Sequence, residues 1–443
     1  MTLLKGIRGD GQLPALCIVV LGYLLLCVAF HRASPPLEVS DEAGHMAYVL
    51  SVKATHRLPL ADVNDHRPIG VQEVTQPPLY YGLGALLIWP IDTSNAEDFF
   101  HFRSSAPVGR ADLPGPMNMW YQDGDRRYRQ TMLAIAVLRG FSALLGLATI
   151  ILAFFTARAL FPANRGAPFF ASMLIAFNPM FLAIANSVNN DNLVSCAVAG
   201  GVALIVHLQN REFRLLHSAG LGAIASLAFL AKVSGLILVP VIMLQILRAR
   251  VPLARKAIAI GVFGAVMAML CGWWIALNYV RYGEPLALGI HGALARNTRI
   301  HPDIFALFRE WSGFYKSYWG VFGAFNVIYP DWVYFLYLGL SALLAALLLG
   351  YCVKYRRTMP PGLDLLLLVM ATNCAALVWW TSHLTGSQGR LLFPSISAIS
   401  VCFAAGIELL PRQARRWFVP ALAIGLFALC VYGAIVIIPA AYM

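Results

Sequence analysis

Pro77-Pro78-Leu79-Tyr80-Tyr81-Gly82-Leu83-Gly84-Ala85-Leu86-Leu87-Ile88-Trp89-Pro90-Ile91 decides how the rest of the chain threads. The run is apolar, but at fifteen residues it is short for a bilayer crossing, which needs about 20 residues in helix. It opens on two prolines, whose missing N–H groups cost little in a first helical turn. A Trp-Pro pair closes it. The reading is a re-entrant or interfacial helix, with Tyr80 and Tyr81 in an aromatic belt at the membrane surface.

The remainder is a polytopic membrane protein. Of 443 residues, 59% are hydrophobic and 12% charged, with a mean hydropathy of +0.69. A soluble domain carries roughly 25% charged residues. Apolar runs near 14–30, 131–157, 167–186, 192–208, 216–231, 233–247, 257–279, 332–352, 363–383, 391–410 and 417–438 give about eleven spans. The first has no small-residue cleavage pattern after it and reads as a retained signal anchor.

With Lys5 and Arg8 in the cytoplasm, alternate short loops hold Arg158 and Arg165; Arg211 and Arg214; Arg248, Arg250, Arg255 and Lys256; Lys354, Arg356 and Arg357; Arg412, Arg415 and Arg416. Every cluster then falls on one side, provided 77–91 does not cross. The net charge of +12 is thus an orientation signal and not one for nucleic acid. Residues 31–130 and 280–331 become two large extracytoplasmic loops of a single domain covering 1–443, and the C-terminus faces outward. All eight cysteines lie in or beside apolar runs, so no disulfide or thiolate metal site is expected.

The outward face collects the residues able to do chemistry. Val39-Ser-Asp-Glu-Ala-Gly-His45 follows the first span directly. A helix from Ser40 puts Asp41 and His45 at i and i+4, with Met46, Val49, Leu50 and Val52 on an apolar side. A carboxylate there can take a proton from an acceptor hydroxyl. The plainer alternative is that Ser40 caps the helix and the two acids complement its dipole. Glu73 and Gln76 precede the double proline and face the same side. Asn186-Ser-Val-Asn-Asn-Asp-Asn192 is a polar cluster between apolar spans, with Asn190 and Asp191 suited to sugar contact or, for Asp191, to capping. Lys232 divides a 214–248 apolar stretch, and Arg390 opens a span; both suit a lipid phosphate, although a lysine at a helix C-terminus is also ordinary dipole complementation. Trp311–Asn326 is rich in aromatics and glycine, enough for an interfacial helix or for walls around a polyprenyl chain. No phosphate-cradling glycine loop, HExxH or Ser-His-Asp order is present. The cytoplasmic loops are too small to bind a nucleotide sugar.

Seven segments resemble, in order, a bacterial integral-membrane family of unknown function grouped with the GT-C glycosyltransferases. It is more distantly similar to protein O-mannosyltransferases and lipid A aminoarabinose transferases. They are Ser-Asp-Glu-Ala-Gly-His45, Gln76-Pro-Pro-Leu-Tyr-Tyr81, Ser187-Val-Asn-Asn-Asp191, Leu230-Ala-Lys-Val-Ser-Gly235, Ser317-Tyr-Trp-Gly-Val-Phe-Gly323, Pro330-Asp-Trp and Gln388-Gly-Arg-Leu-Leu-Phe-Pro394. The resemblance implies an all-α GT-C-like fold with juxtamembrane helices in the first extracytoplasmic loop. It also implies catalytic residues Asp41, as base, and its neighbour Glu42. Substrate contacts would come from His45, Glu73, Gln76, Asn190, Asp191, Lys232, Trp319, Gln388 and Arg390. The metal site of some relatives is matched only in part, by Glu73, His45 and His291, which leaves a divalent metal open.

The implied activity is inverting transfer of a sugar from a polyprenyl-phosphate donor to a cell-envelope glycan or glycolipid. It would take place on the extracytoplasmic face of a bacterial inner membrane. A transporter or flippase of a lipid-linked precursor would instead place paired charges deep in spans and show repeats. Here only Arg139 is a mid-span charge, and no repeat is visible. A non-catalytic scaffold subunit would tolerate loss of Asp41.

Overall fold

A computed structural model describes residues 12–62, 71–96, 101–102, 108–109, 117–121, 128–209 and 211–442. Lys5, Arg8, Met443 and parts of the 31–130 loop lie outside the described residues. The architecture is almost wholly helical, with two antiparallel two-residue pairings, 101–102 with 120–121 and 321–322 with 327–328.

Among the described residues eight helices are long and apolar enough to cross a membrane: Leu13–Ala33, Arg129–Leu160, Asp191–Leu208, Leu253–Tyr282, Asp331–Lys354, Leu363–His383, Gly389–Leu409 and Arg412–Tyr442. A ninth is bent. Gly166–Ala176 and Pro179–Ala185 meet at 64°. Pro179 cannot donate to the preceding turn, and the Asn178 side chain restarts the helix by accepting from the Phe181 N–H at 2.9 Å.

The remaining two expected spans do not reach that length. Leu215–Ala231 has 17 residues, about 25 Å at 1.5 Å per residue, and a shorter apolar stretch follows over Val233–Arg248. Among the described residues, length and composition therefore give eight candidate spans, or nine with the bent pair, where about eleven are expected. The reason is local. Lys232 is extended (φ −163°, ψ 145°), and a 3-10 turn over Val233–Ile237 folds the chain back. Gly235 makes that return fit: a Cβ there would lie 2.2 Å from the Ala228 carbonyl carbon.

The helix ends sort into two groups. At one end Asn164 and Arg415 both bond Glu408, Arg248 pairs with Asp364, and Gln209 lies against Gly362. At the other end the segments after Leu13–Ala33, before Asp191, around Lys232 and before Arg390 converge.

The 77–91 run forms a helix only over Leu79–Leu87, nine residues, about 14 Å and too short to cross. It packs on the first juxtamembrane helix, Glu42–Thr55. Tyr48 and Tyr81 stack at 3.8 Å, and Gly84 lets Val49 approach. Tyr80 and Tyr81 are fully buried and are not belt residues. Their hydroxyls find partners inside, at Ser142 (2.9 Å) and His45 (2.8 Å), which removes the reason for a tyrosine to sit at the water boundary.

Candidate functional site

Beneath the converging ends lies a cavity of about 610 Å³. Asp41, His45, Glu73, Gln76, Asp191, Lys232, Gln388 and Arg390 all line it. Segments more than 340 residues apart therefore meet, since Arg390 donates to the Asp41 carboxylate.

Asp41 stands just before the Glu42–Thr55 helix in a left-handed conformation (φ 63°) and makes no side-chain capping bond. Aspartate is among the few non-glycine residues that visit this region readily. The helix thus starts two residues after Ser40, and the Asp41 carboxylate turns into the cavity. His45 is on the same face and donates its backbone N–H to the Asp41 carbonyl at 3.1 Å.

Two ion pairs cross the floor. Arg390 holds Asp41, and its Nε donates to Gln388 Oε1 at 2.8 Å. Lys232 holds Asp191, whose other oxygen sits 3.9 Å from Arg390 Nη1. Neither that Arg390 nitrogen nor that Asp191 oxygen has a hydrogen-bond partner among the described residues. Buried polar atoms without hydrogen-bond partners are costly, and these two face each other as a long ion pair.

Four cavity groups outside the spans have displaced pKa values, His291 among them. Burial alone would raise the Asp41 pKa, but the Arg390 charge and hydrogen bond, with His45 and Lys232, outweigh it and hold Asp41 at about 2. Burial lowers His45 to about 3, so the ring is neutral. Burial, then the Asp41 charge, raises Glu73 to about 8 against the pull of Lys232 and Arg390. At pH 7 the cavity holds two carboxylates, two cations and one protonated acid.

Three candidates lie elsewhere. Glu42 is fully buried behind the cavity. Its carboxylate takes two bonds from Arg139 (2.7 and 2.6 Å) and the Val188 N–H (3.0 Å). Arg139 also donates to the Ser34 and Pro35 carbonyls. This mid-span charge is therefore locked in place as an anchor. Asn190 sits one layer back, reaching Gln76 (3.4 Å) and the Ala231 carbonyl (3.1 Å). Trp319 stacks on Tyr337 at 4.5 Å and donates to Ser341, away from the cavity.

The sequence reading missed the apolar half of the cavity. Val233, Leu236, Ile237 and Pro240 line one side of it, and Ala375, Ala376 and Trp380 line the other. Inside a membrane protein such residues are indistinguishable in sequence from any span. His291 lines the cavity too, and its Nδ1 shares a 2.8 Å bond with Thr75; burial lowers it to about 4.

Of the three residues matched to a relative's metal site, His45 Nδ1 lies 3.5 Å from Glu73 Oε2, while His291 Nδ1 shares its bond with Thr75. Asp41 faces Arg390, Asp191 faces Lys232, and His45 Nδ1 faces Tyr81. Among the described residues no group of three or more His, Cys, Asp or Glu is placed to hold a metal ion.

Comparison with known proteins places the fold. Residues 113–283 match the family described as dolichyl-phosphate-mannose-protein mannosyltransferase. No curated protein matches the chain in sequence. ArnT from Cupriavidus metallidurans, in a crystal structure bound to undecaprenyl phosphate, superposes with a TM-score of 0.53 at 15% identity; the match covers 93% of this chain and 63% of that one. The archaeal oligosaccharyltransferase AglB from Archaeoglobus fulgidus, in complex with an inhibitory peptide and a dolichol-phosphate, gives 0.52 at 11% identity, covering 98% and 56%. The chain thus spans under two thirds of the length of these structures. It shares the fold of these two structures.

Proposed function

We propose that the protein is an inverting GT-C-type glycosyltransferase working from a polyprenyl-phosphate-linked sugar. One observation carries this: a cavity in which Lys232 and Arg390 bracket Asp41 and Asp191 at the polar end, and which continues as an apolar groove between Val233–Ile237 and Leu363–His383. A phosphate on a long apolar chain matches that division. The ligands carried by the ArnT and AglB structures, undecaprenyl phosphate and a dolichol-phosphate, have the same division.

The chemistry follows from the charges. The donor phosphate gives Arg390 and Lys232 a second anion, and the partnerless Arg390 Nη1 is a ready donor to it. As Arg390 turns to phosphate, Asp41 loses the contact that holds its pKa down and becomes a better base. Asp41 then takes the proton of the acceptor hydroxyl. The acceptor oxygen bonds the anomeric carbon as the carbon–oxygen bond to phosphate breaks on the opposite face. The two cations stabilise the charge left on the polyprenyl phosphate.

The finer parts of the proposal are an acceptor that is a cell-envelope glycan or glycolipid, a bacterial inner membrane, and a cavity opening on the extracytoplasmic side. The two helices that meet at Lys232 are each taken to cross, one in and one back, making eleven crossings and one domain over 1–443. Asp41→Asn tests the core. It keeps the shape but cannot take a proton, so transfer from a purified polyprenyl-phosphate sugar in detergent falls about 10²–10⁴-fold while the protein still purifies folded. Full activity in Asp41→Asn would remove Asp41 as the base.

A further inference from the structure

The 280–331 loop carries a surface patch that the reaction does not use. Ile300 is 93% exposed, Phe308 80%, Ile304 68% and Phe305 67%. The charges of the same segment pair among themselves: Arg299 with Glu310, and Arg309, itself 65% exposed, with Asp303. Large apolar side chains held outward beside an exposed arginine suit a boundary that is apolar on one side and polar on the other, as a headgroup layer is.

The segment's position supplies the medium. It is stitched to the end of the Leu363–His383 span by backbone bonds from Arg299 to the His383 carbonyl (2.7 Å) and from Asp303 to the Ser382 carbonyl (2.8 Å). That end bears Trp379, exposed on the same span, with Trp311 exposed at the next helix start. Exposed tryptophans at a span end mark the headgroup level. The patch therefore continues the lipid-facing surface of the span.

It also stands at the rim of the cavity. Asn297, Thr385 and Gly386 line the cavity, and Thr385 donates its N–H to the Asn297 carbonyl at 2.7 Å. Two contacts run from the segment to the loop that carries Arg390. Glu310 accepts the Ser387 N–H at 2.8 Å, and Ser317, on the helix that begins at Trp311, accepts the Gly389 N–H at 2.8 Å.

We infer that residues 300–311 are a bilayer-docking rim, seated in the headgroup and upper acyl layer of the outer leaflet. A second part rests on the proposed glycosyl-donor reading: the seat lies beside the mouth through which a lipid-borne phosphate enters, and it fixes the 387–390 loop for it.

The test uses the full chain in vesicles of phosphatidylethanolamine and phosphatidylglycerol. A benzophenone amino acid is placed at position 308, and at position 336 on the exposed face of a span. Illumination should yield phospholipid adducts at both. Adducts at 336 but none at 308 overturn the inference, whatever the activity. In nanodiscs, the triple substitution I304S/F305S/F308S should bind undecaprenyl phosphate about tenfold more weakly, a loss of about 1.4 kcal/mol. Unchanged binding overturns the role in entry. Adducts at 308 with no undecaprenyl phosphate bound even by the unaltered protein would sink the donor reading and leave the membrane seat standing.

Discussion

At the scale of single residues, the cavity works through the balance of its charges. Asp41 and Asp191 are matched by Arg390 and Lys232, so the state of Glu73 sets the net charge that an incoming phosphate meets. With its pKa raised to about 8, Glu73 is protonated at neutral pH. Above that it adds a negative charge to a buried site. The KM for the lipid-phosphate donor should therefore rise as pH passes through about 8, with kcat less affected, and Glu73→Gln should flatten that rise. A donor KM that climbs equally in Glu73→Gln would assign the titration elsewhere. The linkage signs differ for the two acids. Glu73 is raised above its ordinary 4.5, so the folded state holds the extra proton between there and about 8 and stability declines with pH across that window. Asp41 is depressed from 3.8 to about 2, so its contribution is present above 3.8 and is lost as pH falls toward 2. Position in sequence could flag Asp41, Glu73, Lys232 and Arg390, because charge beside an apolar run is rare. It could not say which acid of the Asp41-Glu42 pair faces the cavity. That depends on Asp41 leaving the helix through a left-handed backbone, which no periodicity reports.

At the scale of elements, the Glu42–Arg139 pair ties three segments together: the end of the first span, the helix that follows Asp41, and the turn before Asp191. It holds both cavity carboxylates from behind, so Glu42 acts on the site through position. Removing one charge leaves the other buried and unmatched, at a cost of about 3–5 kcal/mol. Glu42→Gln and Arg139→Met should each lower the thermal midpoint in detergent sharply, and Glu42→Met with Arg139→Met should recover part of the loss. Recovery is partial because the Ser34 and Pro35 carbonyls and the Val188 N–H keep no partner. A double variant worse than both singles would contradict this account. These contacts were not legible in sequence, where Arg139 reads as an isolated charge inside a 32-residue helix. The short Leu79–Leu87 helix was legible, because its prolines and length bound it on both sides. The broken pair around Lys232 was half legible: the lysine marked the break, but not the extended backbone or the Gly235 approach that shortens both helices.

At the scale of the whole molecule, sidedness follows from which helix ends share an end of the bundle. The bent pair Gly166–Ala185 matters most for parity, because its two ends lie apart: Asn164, just before it, bonds Glu408, while the turn after it holds Asn189 against Tyr80 beside the cavity layer. Counting nine crossings or eleven leaves the C-terminus opposite the N-terminus in either case, since the pair around Lys232 enters and returns. Sidedness of the flanking loops therefore cannot decide whether that pair reaches the outer face. Residue 234 can, because Ser234 lines the cavity two residues beyond Lys232. With Ser234→Cys, a membrane-impermeant maleimide added outside intact cells should label the protein above the background of its native cysteines. The same reagent confined to the inside of right-side-out vesicles should not. Prior incubation with undecaprenyl phosphate should slow the outside labelling, because the lipid phosphate would sit between Lys232 and Arg390 and its chain along Val233–Ile237. Labelling only from inside would put the cavity on the cytoplasmic face, and with it Asp41, Lys232 and Arg390 together, since the three line one space. It would then reverse the threading as a whole, not one span of it.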